Sequence, residues 1–224
     1  MDKANEQELL AAIKEDDLPK VRALLKDAGG PLRVQNESGV SAIVLAVYYG
    51  RRPIAEALAA QWGPLDIVEA AALGDLARVR ELVAGNRDLT RVYSADGFPV
   101  VGLAATFGHP EIVTFLIENG ADVNAVATNG TGYNALTGSV SQRRRDVTKI
   151  LLASGAKADY RYGPGWSPLH EAAMDGDAEV AAMLLDHGAD LNAKNAEGKT
   201  PLGLAAAHQK TQVAEILRAR GAVE

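Results

Sequence analysis

The chain has 224 residues, 47% hydrophobic but only 5% aromatic, and a formal net charge of −6. Abundant Ala and Leu with so few aromatics point to close-packed helices, since strands prefer aromatic and β-branched side chains. The acidic balance argues against a nucleic-acid partner, and the absence of cysteine excludes disulfides, thiolate metal sites and thiol nucleophiles.

The N-terminal stretch MDKANEQELLAAIKEDD lacks the positive start and apolar run of a secretory signal. No apolar run reaches the roughly 18 residues a membrane span needs. A soluble, cytoplasmic, monomeric protein without a membrane partner is expected.

Further along, a helical triplet at i, i+3, i+4 recurs seven times, as Val21/Leu24/Leu25, Ile54/Ala57/Leu58, Val79/Leu82/Val83, Ile112/Phe115/Leu116, Val147/Ile150/Leu151, Val180/Met183/Leu184 and Val213/Ile216/Leu217. Their first members lie 33, 25, 33, 35, 33 and 33 residues apart. Residues so spaced share one helix face, so each triplet marks a helix with a buried stripe. Before most triplets lies a shorter helix rich in small residues, such as Ala70/Ala71/Ala72, Ala104/Ala105, Ala172/Ala173 and Ala205/Ala206. Gly50, Gly74, Gly108 and Gly176 fall between the two helices, where a left-handed residue ends the first. A second set, Gly120, Gly155, Gly188 and Gly221, ends the longer helix. Each unit reads as helix, tight turn, helix and extended loop.

Gly165-Trp-Ser-Pro-Leu-His-Glu-Ala-Ala, then Gly176 and Gly188-Ala-Asp-Leu-Asn, resemble the G-x-T-P-L-H-x-A-A and G-A-D-V-N signatures of the ankyrin-repeat family. Gly198-Lys-Thr-Pro-Leu and Gly120-Ala-Asp-Val-Asn repeat parts of them. The resemblance implies an all-α ankyrin-repeat solenoid of about seven helix-turn-helix units with short β-hairpin loops on one side. It implies a single domain over residues 1–224, with units at 1–34 (N-cap), 35–62, 63–92, 93–125, 126–160, 161–193 and 194–224 (C-cap). One uninterrupted interior is expected to run through the stack.

Departures from the pattern carry their own expectations. The interval of 25 leaves Gln61-Trp-Gly-Pro-Leu-Asp66 where a hairpin would stand, so one finger should be missing. Asp66 and Glu69 read as a capping box for the next helix. The fifth unit is longer through Thr128-Asn-Gly-Thr-Gly132 and has Ser139 and Val140 in place of the alanine pair. Only three residues follow Gly221, so no attached catalytic domain is expected.

Signals for chemistry are weak. His109, His170 and His187 fit structural positions of the repeat, and no zinc-binding helix motif is present. Gly198-Lys199-Thr200 imitates the end of a phosphate loop, but Ala193 stands where that loop needs glycine. No metal, no cofactor and no enzymatic activity are expected. Arg143-Arg144-Arg145 reads as a solvated turn or an anchor for an acidic surface.

The aromatics point elsewhere. Under the family mapping, Tyr48, Tyr49 and Phe107 precede the turn between helices, while Tyr93, Phe98, Tyr133, Tyr162 and Trp166 fall at or beside hairpin tips. Glu37, Asp96, Arg161 and Lys199 flank them. Together they imply a groove that binds a protein partner, since exposed aromatic side chains make interface hot spots. The alternatives are self-association through the same face, and a small-molecule or catalytic site using His170, Glu171 and Asp175.

Overall fold

Fourteen α-helices, arranged as seven consecutive pairs, make up the described part of the chain in a computed structural model covering residues 3–28 and 33–223. The inner members are α1 (Lys3–Glu15), α3 (Ala42–Tyr48), α5 (Ile67–Leu73), α7 (Val100–Phe107), α9 (Ala135–Ser141), α11 (Pro168–Asp175) and α13 (Pro201–Ala207). The outer members are α2 (Leu18–Asp27), α4 (Arg52–Trp62), α6 (Leu76–Gly85), α8 (Pro110–Glu118), α10 (Arg145–Ala153), α12 (Ala178–Asp186) and α14 (Thr211–Ala219). A 3-10 turn at Arg87–Arg91 follows α6. Residues 1, 2, 29–32 and 224 lie outside the described residues.

The same turn closes every pair. The N–H after the turn bonds a carbonyl five residues back, from Asp17 to Ala12, Arg51 to Ala46, Asp75 to Ala70, His109 to Ala104, Arg144 to Ser139, Asp177 to Ala172 and Lys210 to Ala205, all at 2.8–2.9 Å. The residue between must be left-handed, and four of the seven are glycines. In the other three pairs Asp16, Arg143 and Gln209 adopt that conformation at φ 63°, 55° and 57°. Asp17, Asp75 and Asp177 then cap the outer helix through backbone N–H groups of its first turn.

Small residues let the inner helices stack closely: Ala70, Ala71, Ala104, Ala105, Ala173 and Ala205 are fully buried. Each inner helix packs on the next along the row. Along the outer row the packing is thinnest between α4 and α6. The expected single interior is accordingly subdivided. One apolar cluster runs from Leu9 to Trp62, a larger one from Ile67 to Leu217, and a small third cluster contains Val40, Val44 and Ala72. Leu65, Val47 and Val68 each pack against two of the three. The cause is the short link after Trp62, which brings α5 onto α3 without allowing α4 and α6 to align.

That link also confirms the capping box. Glu69 N–H donates to Asp66 Oδ1 at 2.8 Å, and Asp66 N–H donates to Glu69 Oε2 at 3.0 Å. In the fifth unit the Ser139 hydroxyl is fully buried, bonding Leu136 O and, at 2.9 Å, the Thr148 hydroxyl. Its polarity is satisfied within the unit. Among the described residues no helix is long and apolar enough to cross a membrane.

Candidate functional site

Four of the loops between pairs are hairpins closed by antiparallel bridges, Gln35 to Ser41, Tyr93 to Pro99, Val126 to Asn134 and Tyr162 to Trp166. None stands between α4 and α5, where the finger was expected to be missing. The hairpins on either side of that gap meet over it: a Cβ on Gly39 would lie 3.3 Å from Ala95 Cβ. Beneath them is a hollow of about 400 Å³ walled in part by Val44, Ile67 and Val68.

From that point the loops are bonded to one another in sequence. Thr128 N–H donates to Gly97 O, and Asn129 Nδ2 to Asp96 O, both at 2.8 Å. Tyr160 Oη donates to Gly132 O, and Ala196 N–H to Pro164 O, again at 2.8 Å. Arg161 adds a bond to Lys194 O. These backbone-directed links tie tip to tip and make a rail of fixed geometry.

The sequence-predicted side chains separate into distinct groups on this frame. Tyr48 and Phe107 pack together at a ring separation of 5.6 Å, and Tyr48 Oη donates to Asp96 Oδ2 at 2.7 Å. Burial, and then the Asp96 bond, holds the Tyr48 phenol well above its ordinary range. Asp96 also accepts from Ser94 Oγ at 2.6 Å, and that hydroxyl in turn receives Phe98 N–H. Tyr133, Tyr162 and Trp166 form a second group, with the tyrosine rings 5.3 Å apart. Tyr162 is only 7% exposed, and its hydroxyl donates to Glu171 Oε1. The geometry therefore gives Tyr162 a packing role as the back wall of that group. Tyr49, Tyr93 and Tyr133 stand at 45%, 40% and 38% exposure. Lys199 is exposed and paired with Glu197 at 2.8 Å, and Glu37 is exposed on the first hairpin.

The basic run is absorbed into the scaffold. Arg143 bonds the Asp175 carboxylate and its backbone carbonyl, Arg144 bonds Thr106 O, and Arg145 pairs with Asp177 at 2.9 Å and Glu179 at 3.2 Å. Two of the histidines, His109 and His170, link neighbouring units. His109 Nε2 donates to Ala72 O at 3.0 Å. His170 Nδ1 accepts from Ser167 N–H, which leaves Nε2 to donate to Lys199 O at 3.1 Å. Burial lowers the pKa of both rings. His170, Glu171 and Asp175 thus face three different partners and converge on no common point. Among the described residues no cluster of His, Cys, Asp or Glu could hold a metal ion.

Sequence reasoning placed Glu171 only in a catalytic alternative and did not single out Met174. Both line the hollow in front of Tyr162. Their i, i+3 spacing on α11, following the aromatic hairpin, was the available signal.

A family model described as ankyrin repeats in three copies matches residues 67–162 and 158–223, beginning at the first residue of α5. This chain belongs to the ankyrin-repeat family. Ankyrin repeats are in general protein-interaction modules. E3 ubiquitin-protein ligase XBAT33 of Arabidopsis thaliana is 35% identical over 49% of this chain and 21% of its own length. Ankyrin repeat domain-containing protein 40 of Homo sapiens is 32% identical over 37% of the chain and 21% of its own length. Diacylglycerol kinase iota of Homo sapiens is 29% identical over 50% of the chain and 10% of its own length. The ankyrin-repeat chain thus spans only about a tenth to a fifth of the length of these relatives, and only in their repeat region.

Proposed function

We propose that this ankyrin-repeat chain is a non-catalytic recognition module that binds a protein partner across its hairpin tips and inner helices. Tyr49, Tyr93 and Tyr133 are the contacts first buried. The observation that carries the reading is the bonded rail. Hairpin tips held by bonds such as Thr128 to Gly97 and Ala196 to Pro164 lose little freedom on docking. The exposed tyrosines supply large apolar area with a polar end, a side chain type suited to interface centres. Asp96 and Lys199 flank them, and the Tyr48–Phe107 and Tyr162–Trp166 groups hold the surface behind in shape.

The test uses the whole chain as bait, with mass spectrometry of what it retains, beside the double variant Tyr49→Ala/Tyr93→Ala. These side chains are exposed, so the variant should melt within about 2 °C of the parent. A partner held by the parent and lost by the variant supports the reading. The same retained proteins with both chains would refute it.

A further inference from the structure

The fifth unit is the long one, and the stretch Thr128-Asn-Gly-Thr-Gly132 that lengthens it forms the tip of the hairpin bridged by Val126 and Asn134. We infer that Asn129 in this tip is a self-modifying site: the Gly130 backbone nitrogen displaces the side-chain amide as ammonia, and the acid that forms unties this hairpin from the preceding one. The inference needs no partner and goes beyond the recognition reading above.

The chain has two Asn-Gly pairs, Asn119-Gly120 and Asn129-Gly130, and only in the second is the nitrogen open to react. Gly120 N–H is bonded to Ile117 O at 3.0 Å. Asn119 itself is half-buried at the end of α8, with Nδ2 on Phe115 O at 2.8 Å. Gly130 N–H has no hydrogen-bond partner among the described residues, and a Cβ on Gly130 would meet nothing within 4 Å. Asn129, Gly130 and Thr131 are all exposed, so water and base reach them.

The tip also holds the amide in a reactive setting. Thr131 N–H and Thr131 Oγ1 both donate to Asn129 Oδ1, at 3.1 and 2.7 Å. A turn of this kind folds the side chain back toward the peptide that follows it, here that of Gly130. The two donors face the oxygen on which negative charge grows as the nitrogen adds to Cγ. Asn119 Oδ1 receives no donor among the described residues. Asn129 Nδ2 donates to Asp96 O at 2.8 Å, so a carbonyl that can only accept and an N–H that can only donate fix which atom is nitrogen.

The step is a displacement with no change of oxidation state. The Gly130 nitrogen bonds to Cγ, the Cγ–Nδ2 bond breaks, and the Gly130 N–H proton passes through solvent to the departing nitrogen, which leaves as ammonia. Water then opens the cyclic imide at Cγ to give aspartate, or at the main-chain carbonyl to give a backbone that runs through Cγ. Either product loses the donor to Asp96 O and sets a carboxylate against that carbonyl, two acceptors with no hydrogen between them. Thr128, bonded to Gly97 O through its N–H at 2.8 Å and its hydroxyl at 3.4 Å, then carries the link alone among the described residues.

The test incubates the full chain in mildly alkaline buffer and follows it by peptide mass spectrometry, a cut before Asp122 placing Asn119 and Asn129 on separate peptides. In the folded chain Asn129 should convert at least about tenfold faster than Asn119, and in urea the two rates should converge. Thr131→Val keeps the N–H donor but removes the hydroxyl, and should slow Asn129 by about threefold to tenfold, with Thr131→Ser restoring the rate. Asn129→Asp copies one product directly and should speed hydrogen exchange at Thr128 N–H about fivefold. Equal rates at the two asparagines in the folded chain, a difference that persists in urea, indifference to Thr131→Val, or no recovery with Thr131→Ser would each overturn the self-modification. Unchanged exchange at Thr128 in Asn129→Asp would overturn the untying.

Discussion

The imidazole of His109 lies over Gly74, one unit upstream, so closely that a Cβ on Gly74 would stand 2.6 Å from the ring. The ring is held there by its bond to Ala72 O at 3.0 Å. Gly74 is also left-handed, at φ 86°. Gly74→Ala therefore introduces both backbone strain and overpacking, for a loss of about 2–4 kcal/mol. At Gly176 the equivalent neighbour is the stem of Lys210, which can swing aside. Gly176→Ala should lose only about 1–2 kcal/mol, the backbone contribution. Urea unfolding of the two variants measures the difference, and equal losses would show that the His109 ring yields freely.

Gln209 occupies the same turn position as Gly176 and Gly74 but carries a side chain at φ 57°. A non-glycine residue in this region is held there by its surroundings, here by the Lys210 to Ala205 bond. Gln209→Gly should raise stability by about 1 kcal/mol, or about 2–4 °C in melting temperature. A lower melting temperature would mean that the glutamine side chain contributes more than the strain removes.

The buried histidines make stability depend on pH in a definite direction. His109 has its pKa lowered below the ordinary 6.5, by burial first, then by Arg52 and Arg144. The bond to Ala72 and the charge of Glu111 oppose that shift. As pH falls through 6.5 the unfolded chain takes up a proton before the folded one does. Its contribution is therefore complete above 6.5 and is lost on acidification toward the lowered folded value. Glu69 and Glu171, raised above 4.5 chiefly by burial, act in the opposite sense, and their effect grows as pH rises through 4.5. His109→Gln isolates the histidine, because the amide can still donate to Ala72 O. The stability difference between parent and variant should shrink between about pH 7 and about pH 5. A constant difference would show that the ring titrates equally in both states.

The repeat, its turns and the missing finger were legible because each is written in local spacing: a triplet period, a glycine, an interval of 25. Asp16, Arg143 and Gln209 were not, since nothing in their side chains announces a left-handed backbone; only the bond from the next residue enforces it. The aromatics were legible as a set but not in their division of labour. Tyr162 and Tyr133 occupy similar places beside hairpins, yet Tyr162 is sealed because Glu171, nine residues on, receives its hydroxyl. Arg143, Arg144 and Arg145 were ambiguous for the same reason, as their acceptors lie in neighbouring units some 32 to 38 residues away.

The subdivided interior has a mechanical consequence between Trp62 and Ile67. Stacked repeats are held together by nearest-neighbour interfaces, so the interface with the thinnest outer-helix packing is the weakest link of the row. Leu65 packs against both the smaller and the larger of the two clusters it separates. The two tryptophans fall on opposite sides, Trp62 in the smaller cluster and Trp166 beyond it. Single-tryptophan variants made with Trp62→Phe and Trp166→Phe therefore report each side separately during urea unfolding. The Trp62 signal should change at lower urea, because the smaller cluster has less buried apolar surface to stabilise it. Leu65→Ala, a truncation costing about 1–2 kcal/mol at a half-buried site, should widen the separation between the two transitions. Coincident transitions in both backgrounds would mean that the α3–α5 contact alone couples the two sides fully.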